Sequence, residues 1–131
     1  YTGEHKNNVA EGNGVIVFSN GSKYEGEFKN DLFHGKGIFY YPDGTIYEGD
    51  FRKDKFTGQA TITWTSGEKY IGEVKNELMH GEGTLFYPDG DKYVGEFKKD
   101  HFHGKGSYYH NDGRIEKGTW KKNDLVIFLK Q

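Results

Sequence analysis

The sequence predicts an all-β fold, an antiparallel meander with one hairpin in each 23-residue repeat. Three observations carry this expectation. All 20 glycines fall into four columns of a 23-residue register that runs without insertion. Short segments alternate polar and apolar residues with period two, and they are too brief and too glycine-interrupted for helix. Turn signals recur at one position of every unit, as in Pro42-Asp43-Gly44 and Pro88-Asp89-Gly90. So strict a register marks a repeat array rather than a conventional globular core.

Counted from Tyr1, the units are 1–23, 24–46, 47–69, 70–92 and 93–115, with a partial sixth at 116–131. The first strand of a unit spans columns 23 to 6, as in Lys23 to Lys29. The second spans columns 13 to 18, as in Lys36 to Tyr41. Pro42-Asp43-Gly44 joins it to the next unit by a type I turn whose left-handed last residue is glycine. The other connection, Asn30 to Gly35, reads as a longer loop with an apolar residue in column 10. Pairing Tyr41 with Thr45 sets Phe39 opposite Tyr47, Gly37 opposite Gly49 and Gly35 opposite Phe51.

Directly opposed residues share a face. One face then carries the tyrosines of column 1, the phenylalanines of column 5, the apolar residues of column 16 and paired glycines. The other carries columns 2, 4, 6, 13, 15 and 17, mostly charged residues and Thr, with Tyr40, Phe86 and Tyr109 as a second, weaker surface. Glycine costs a strand about 0.5–1 kcal/mol. Its recurrence is explained by a bare lane into which rings tilt. At about 4.8 Å per strand, a repeat adds about 10 Å and the array about 50 Å. No helical pattern covers the aromatic face, so the sheet curls over its own rings, binds a partner, or both.

Composition narrows the function. Of 131 residues 33% are hydrophobic and 17% aromatic, so rings supply most of the apolar surface. The 18 basic and 20 acidic residues nearly cancel, which gives no prior for nucleic acid or a strongly anionic membrane. The chain has no cysteine, hence no disulfide or thiolate chemistry. No apolar run approaches a transmembrane helix. With no initiator Met, the chain is expected to be a piece of a longer protein.

Tyr24-Glu25-Gly26-Glu27-Phe28, His34-Gly35-Lys36-Gly37 and Pro42-Asp43-Gly44 together resemble the MORN (membrane occupation and recognition nexus) repeat. Tyr47-Glu48-Gly49-Asp50-Phe51, Tyr70-Ile71-Gly72-Glu73-Val74 with His80-Gly81-Glu82-Gly83, and Tyr93-Val94-Gly95-Glu96-Phe97 with His103-Gly104-Lys105-Gly106 repeat it. The resemblance covers essentially the whole chain. It implies a single-layered, elongated, twisted β-meander used for interaction or scaffolding, with lipid binding as the family's traditional attribute and fusion to enzymes as a known arrangement. Departures include His5, Glu11, Thr57-Gly58-Gln59-Ala60, Glu116 and Trp120. Val126-Ile127-Phe128-Leu129 replaces the last His-Gly-x-Gly run, so Trp120, Val126 and Phe128 form either a cap strand or a self-association seam that leaves a homodimer open.

Catalytic and metal chemistry find little support. His34, His80 and His103 recur in column 11, about 10 Å apart in successive repeats, too far to share an ion held at about 2.1 Å. The Gly-x-Gly pairs lack the remaining features of a phosphate loop, and no nucleophile–base arrangement is present. The expectation is therefore no enzyme, no cofactor and no metal. The basic column holds Lys29, Arg52, Lys75 and Lys98, candidates for lipid headgroups. The acids of column 4 lie about 7 Å along each strand and offset them.

The aromatic face is the favoured site. Its candidate partner groove comprises Tyr24, Phe28, Phe39, Tyr47, Phe51, Trp64, Tyr70, Leu85, Tyr93, Phe97 and Tyr108. The leading reading is a non-catalytic scaffold that presents this groove to a protein or peptide, in a cytoplasmic setting with peripheral-membrane or cytoskeletal placement open. The alternatives are a peripheral phospholipid-binding module and a regulatory segment of a larger enzyme.

Overall fold

The computed structural model describes residues 1–122 and the backbone of residues 124–126. They form a single sheet whose 12 strands follow chain order, each hydrogen-bonded to the next. The strands are β1 (Thr2–Lys6), β2 (Val9–Val17), β3 (Lys23–Lys29), β4 (Leu32–Tyr40), β5 (Ile46–Arg52) and β6 (Lys55–Thr63). They continue as β7 (Lys69–Lys75), β8 (Leu78–Phe86), β9 (Lys92–Lys98), β10 (His101–Tyr109), β11 (Ile115–Lys121) and β12 (Asp124–Val126). Every pair is antiparallel, and no helix occurs among the described residues. The all-β meander expected from the repeat is thus the observed fold.

The turn chemistry produces the expected register. Gly37 lies opposite Gly49, Phe39 opposite Tyr47 and Gly35 opposite Phe51. The Tyr41 N–H donates to the Thr45 carbonyl at 2.8 Å, and the Gly44 N–H to the Tyr41 carbonyl at 3.1 Å. Gly44 has φ +97°, the left-handed position that a side chain would strain.

The other connection is shorter than expected. Asn30 and Asp31 have φ 50° and 67° and make a two-residue turn, so β4 begins at Leu32 and not at Lys36. Both residues left-handed is the hairpin geometry that Asn and Asp tolerate best. The apparent loop is a bulged strand. Gly26 faces Gly37 and Phe28 faces Phe33, leaving Glu27 opposite the three residues His34 to Lys36. The Glu27 carboxylate accepts the Lys36 N–H at 2.6 Å and holds the bulge. Glu4, Asp50, Glu73 and Glu96 do the same for Asn13, Gln59, Glu82 and Lys105. The column-4 acids therefore have a structural duty beyond balancing charge.

A second bond joins successive repeats at the tight turns. Asp31, Asp54 and Asp100 accept the N–H of Ala10, Phe33 and Met79 at 2.6, 2.7 and 2.7 Å. Their own N–H groups donate back to the same residues' carbonyls at 3.1, 3.0 and 3.0 Å. Each aspartate thus clamps its turn to the hairpin before it. In the fourth repeat this position is Glu77, and no such bond joins it to Phe56 among the described residues.

The core is a ladder of rings along one face. Tyr24, Tyr47, Tyr70 and Tyr93 are at most 1% exposed. Tyr24 stacks on Phe33, Tyr47 on Phe56 and Tyr93 on Phe102, each at 3.9 Å between centroids, and edge contacts near 5 Å carry the ladder onward. The glycine lane exists for these tyrosines. A Cβ at Gly37 would stand 2.6 Å from the Tyr24 ring carbon Cε1.

Candidate interaction groove

Each column-1 tyrosine lies over the lane and spends its hydroxyl on the backbone. Tyr24, Tyr47, Tyr70 and Tyr93 donate to the carbonyls of Glu27, Asp50, Glu73 and Glu96 at 2.7, 2.9, 2.6 and 2.9 Å. Burial, followed by the nearby carboxylates, pushes the Tyr93 phenol up to about 12 and the other three higher still. The rings expected to line a partner groove therefore lie mostly within the protein's own core. Phe28, Phe51, Leu85 and Phe97 are buried as well, whereas Phe39, Trp64 and Tyr108 are partly exposed. Trp120 is buried, its indole N–H donating to the Gly106 carbonyl at 3.1 Å. Phe128 and the side chain of Val126 lie outside the described residues. The backbone of β12 pairs Val126 with Thr119.

The aromatic face opens into a cavity at one junction. A cavity of about 460 Å³ opens between the third and fourth repeats. Tyr41, Tyr47, Phe56, Ile62, Trp64 and Met79 line it with Thr45 and the acids Asp43, Glu77 and Asp100. A smaller space of about 200 Å³ adjoins it, sharing Trp64 and Met79. Of the residues expected in the groove, only Tyr47 and Trp64 line the larger cavity. Phe56 and Met79 are outside the expected groove because column 10, read from sequence, falls in a loop. Its signal, an apolar residue after every tight turn, was visible.

Local sequence explains why the face opens there. Val74 stands where the second, third and fifth repeats have Phe28, Phe51 and Phe97, and Met79 where those repeats have Phe33, Phe56 and Phe102. The stacked pairs therefore skip Tyr70. Ala60 interrupts the glycine column beside them, and Glu77 leaves the turn without its clamp. The field at the opening is negative. Burial and then the charges of Glu77 and Asp43 raise the Tyr41 phenol to about 12.

The opposite face carries the basic column. Lys29, Arg52, Lys75 and Lys98 are exposed, and none takes part in an ion pair among the described residues. Lys98 also joins Lys99, His101, His103, Lys121 and Lys122 around a space of about 310 Å³. Tyr40 and Tyr109 lie beneath Lys23 and Lys92 at 4.6 and 5.2 Å, so lysines cover part of the weaker second surface. No group of three or more potential metal ligands is gathered among the described residues. No helix long and apolar enough to cross a membrane occurs among the described residues, which does not bear on strands.

No curated protein gives a significant match. Among solved structures, selenomethionine-substituted virginiamycin B lyase from Staphylococcus aureus is similar over 85% of this chain and 42% of its own, with 15% identity and a TM-score of 0.27. A likeness that weak bears on neither fold nor function. The MORN repeat family matches residues 1–23, 24–46, 47–69, 70–92 and 93–113. Repeats of this kind are non-enzymatic modules associated with protein and membrane interaction. With five consecutive repeats matched and the hairpin register to go with them, the chain belongs to the MORN repeat family.

Proposed function

We propose that this array is a non-catalytic protein-interaction module whose ring-bearing face receives a peptide or a segment of a partner protein. The observation that carries this reading is the opening of about 460 Å³, lined mainly by apolar and aromatic side chains of the ring-bearing face. Burying one bulky partner side chain there contributes about 1.5–3 kcal/mol before ordering costs. Aromatic anchors of this type commonly dominate interfaces. The test pans a displayed random-peptide library on the chain and titrates the enriched peptides by calorimetry. Saturable binding weakened by Trp64→Ala supports the reading. Failure to enrich any peptide contradicts it.

A peripheral phospholipid reading draws on the exposed basic column and the cluster around Lys98 and His103. Co-sedimentation with vesicles of neutral and anionic phospholipid separates the two. Salt-sensitive binding to anionic vesicles, lost on charge reversal of Lys29, Arg52, Lys75 and Lys98, favours lipid.

A further inference from the structure

We infer that the cleft between the third and fourth repeats receives an extended segment of a partner protein that presents an arginine or lysine beside a bulky apolar residue. This deepens the interaction reading above and rests on it. Three features of the junction select that occupant. The first is backbone. At three other junctions the column-10 N–H and carbonyl are held by the aspartate of the next turn. Phe56 makes no such bond with Glu77, so the groups that bind a neighbouring turn elsewhere remain for a partner's main chain.

The second is a pocket wall with a spare donor. Trp64 stands between the two adjoining spaces with Met79 beside it. Its indole N–H has no acceptor among the described residues, in contrast to that of Trp120. Met79 supplies a flexible, polarisable surface that adapts to different apolar side chains.

The third is charge. Asp43, Glu77 and Asp100 line the larger space, and no basic residue does. The Glu77 carboxylate makes no hydrogen bond or ion pair of its own among the described residues. An anionic headgroup would be repelled here, whereas a guanidinium or ammonium beside an apolar anchor finds partners for both. An open Phe56 N–H and carbonyl, an apolar slot and an acidic rim together describe an extended basic–apolar segment.

The test pans a random ten-residue peptide library with the intact chain and titrates the enriched peptides against three variants by calorimetry. Arginine or lysine next to Phe, Leu or Trp is expected among the enriched sequences. Glu77→Lys should weaken their binding about tenfold or more, with circular dichroism unchanged. Glu77→Asp keeps the charge and restores the clamp residue, so binding should fall several-fold while the melting temperature rises. Lys29→Glu, on the other face, should leave binding unchanged. Enrichment of acidic or uncharged peptides overturns the inference. So does affinity that survives Glu77→Lys but falls with Phe39→Ala, an outcome that leaves the interaction reading standing and moves the occupant along the face. Vesicle binding with no enriched peptide overturns both.

Discussion

The junctions on either side of the third repeat behave as different joints, and their turn carboxylates, Asp54 and Glu77, differ by one methylene. Between the second and third repeats, Asp54 ties its turn to both backbone groups of Phe33. Between the third and fourth, Glu77 occupies the equivalent place and ties nothing to Phe56. Phe51 packs edge-on against Tyr24 and Phe33 across the first junction, whereas the second has Val74 and Met79 and an opening of about 460 Å³. In an array whose stability is a sum of neighbour contacts, one weakened interface localises where the surface opens without disturbing the rest.

Alkali is the bluntest way to erase the difference. Tyr41, Tyr87 and Tyr93 have phenols raised to about 12 from an ordinary 10.0, chiefly by burial. A folded-state pKa raised this way gives stability that is complete below the unfolded value and lost as pH climbs through the folded one. Both junctions should fail together between about pH 10 and 12. Tyrosinate absorbance followed alongside circular dichroism checks this. Ionisation of all ten tyrosines with the sheet intact would contradict the buried ladder.

Importing the open joint is the next largest effect. Asp54→Glu should cost about 1–3 kcal/mol in urea denaturation, because a charged acceptor leaves the Phe33 N–H. Tyr70→Phe should cost about 1 kcal/mol by leaving the Glu73 carbonyl without its phenol donor. Closing the open joint is subtler. Glu77→Asp should add about 0.5–1.5 kcal/mol as the missing bond forms. Smallest is Lys36→Met, which removes the exposed pair with Asp50 and should change stability by less than about 0.5 kcal/mol.

The contrast also shows what could be read from residues alone. The pairing of Gly37 with Gly49 was legible because turn chemistry sets register and a slip would turn every ring to the wrong face. The tyrosine lane was legible for the same reason. Asn30-Asp31 was misread as the start of a loop, because both residues suit a loop equally well and only the bulge at Gly35 reveals a strand. That error hid the column-10 rings, and with them most of the groove. Glu77 was invisible on different grounds. As one carboxylate in an acidic column it looks equivalent to Asp54. Its consequence lies in a bond to a residue 21 positions earlier, which strand periodicity does not encode.

Amide hydrogen exchange at column 10 tests the difference between the joints most directly. The N–H groups of Phe33 and Met79 are held by aspartates, so they should exchange slowly in the folded chain, and that of Phe56 at least about tenfold faster. Glu77→Asp should bring Phe56 to the rate of its column mates. Equal protection of all three amides in the unaltered protein would contradict an open joint between the third and fourth repeats.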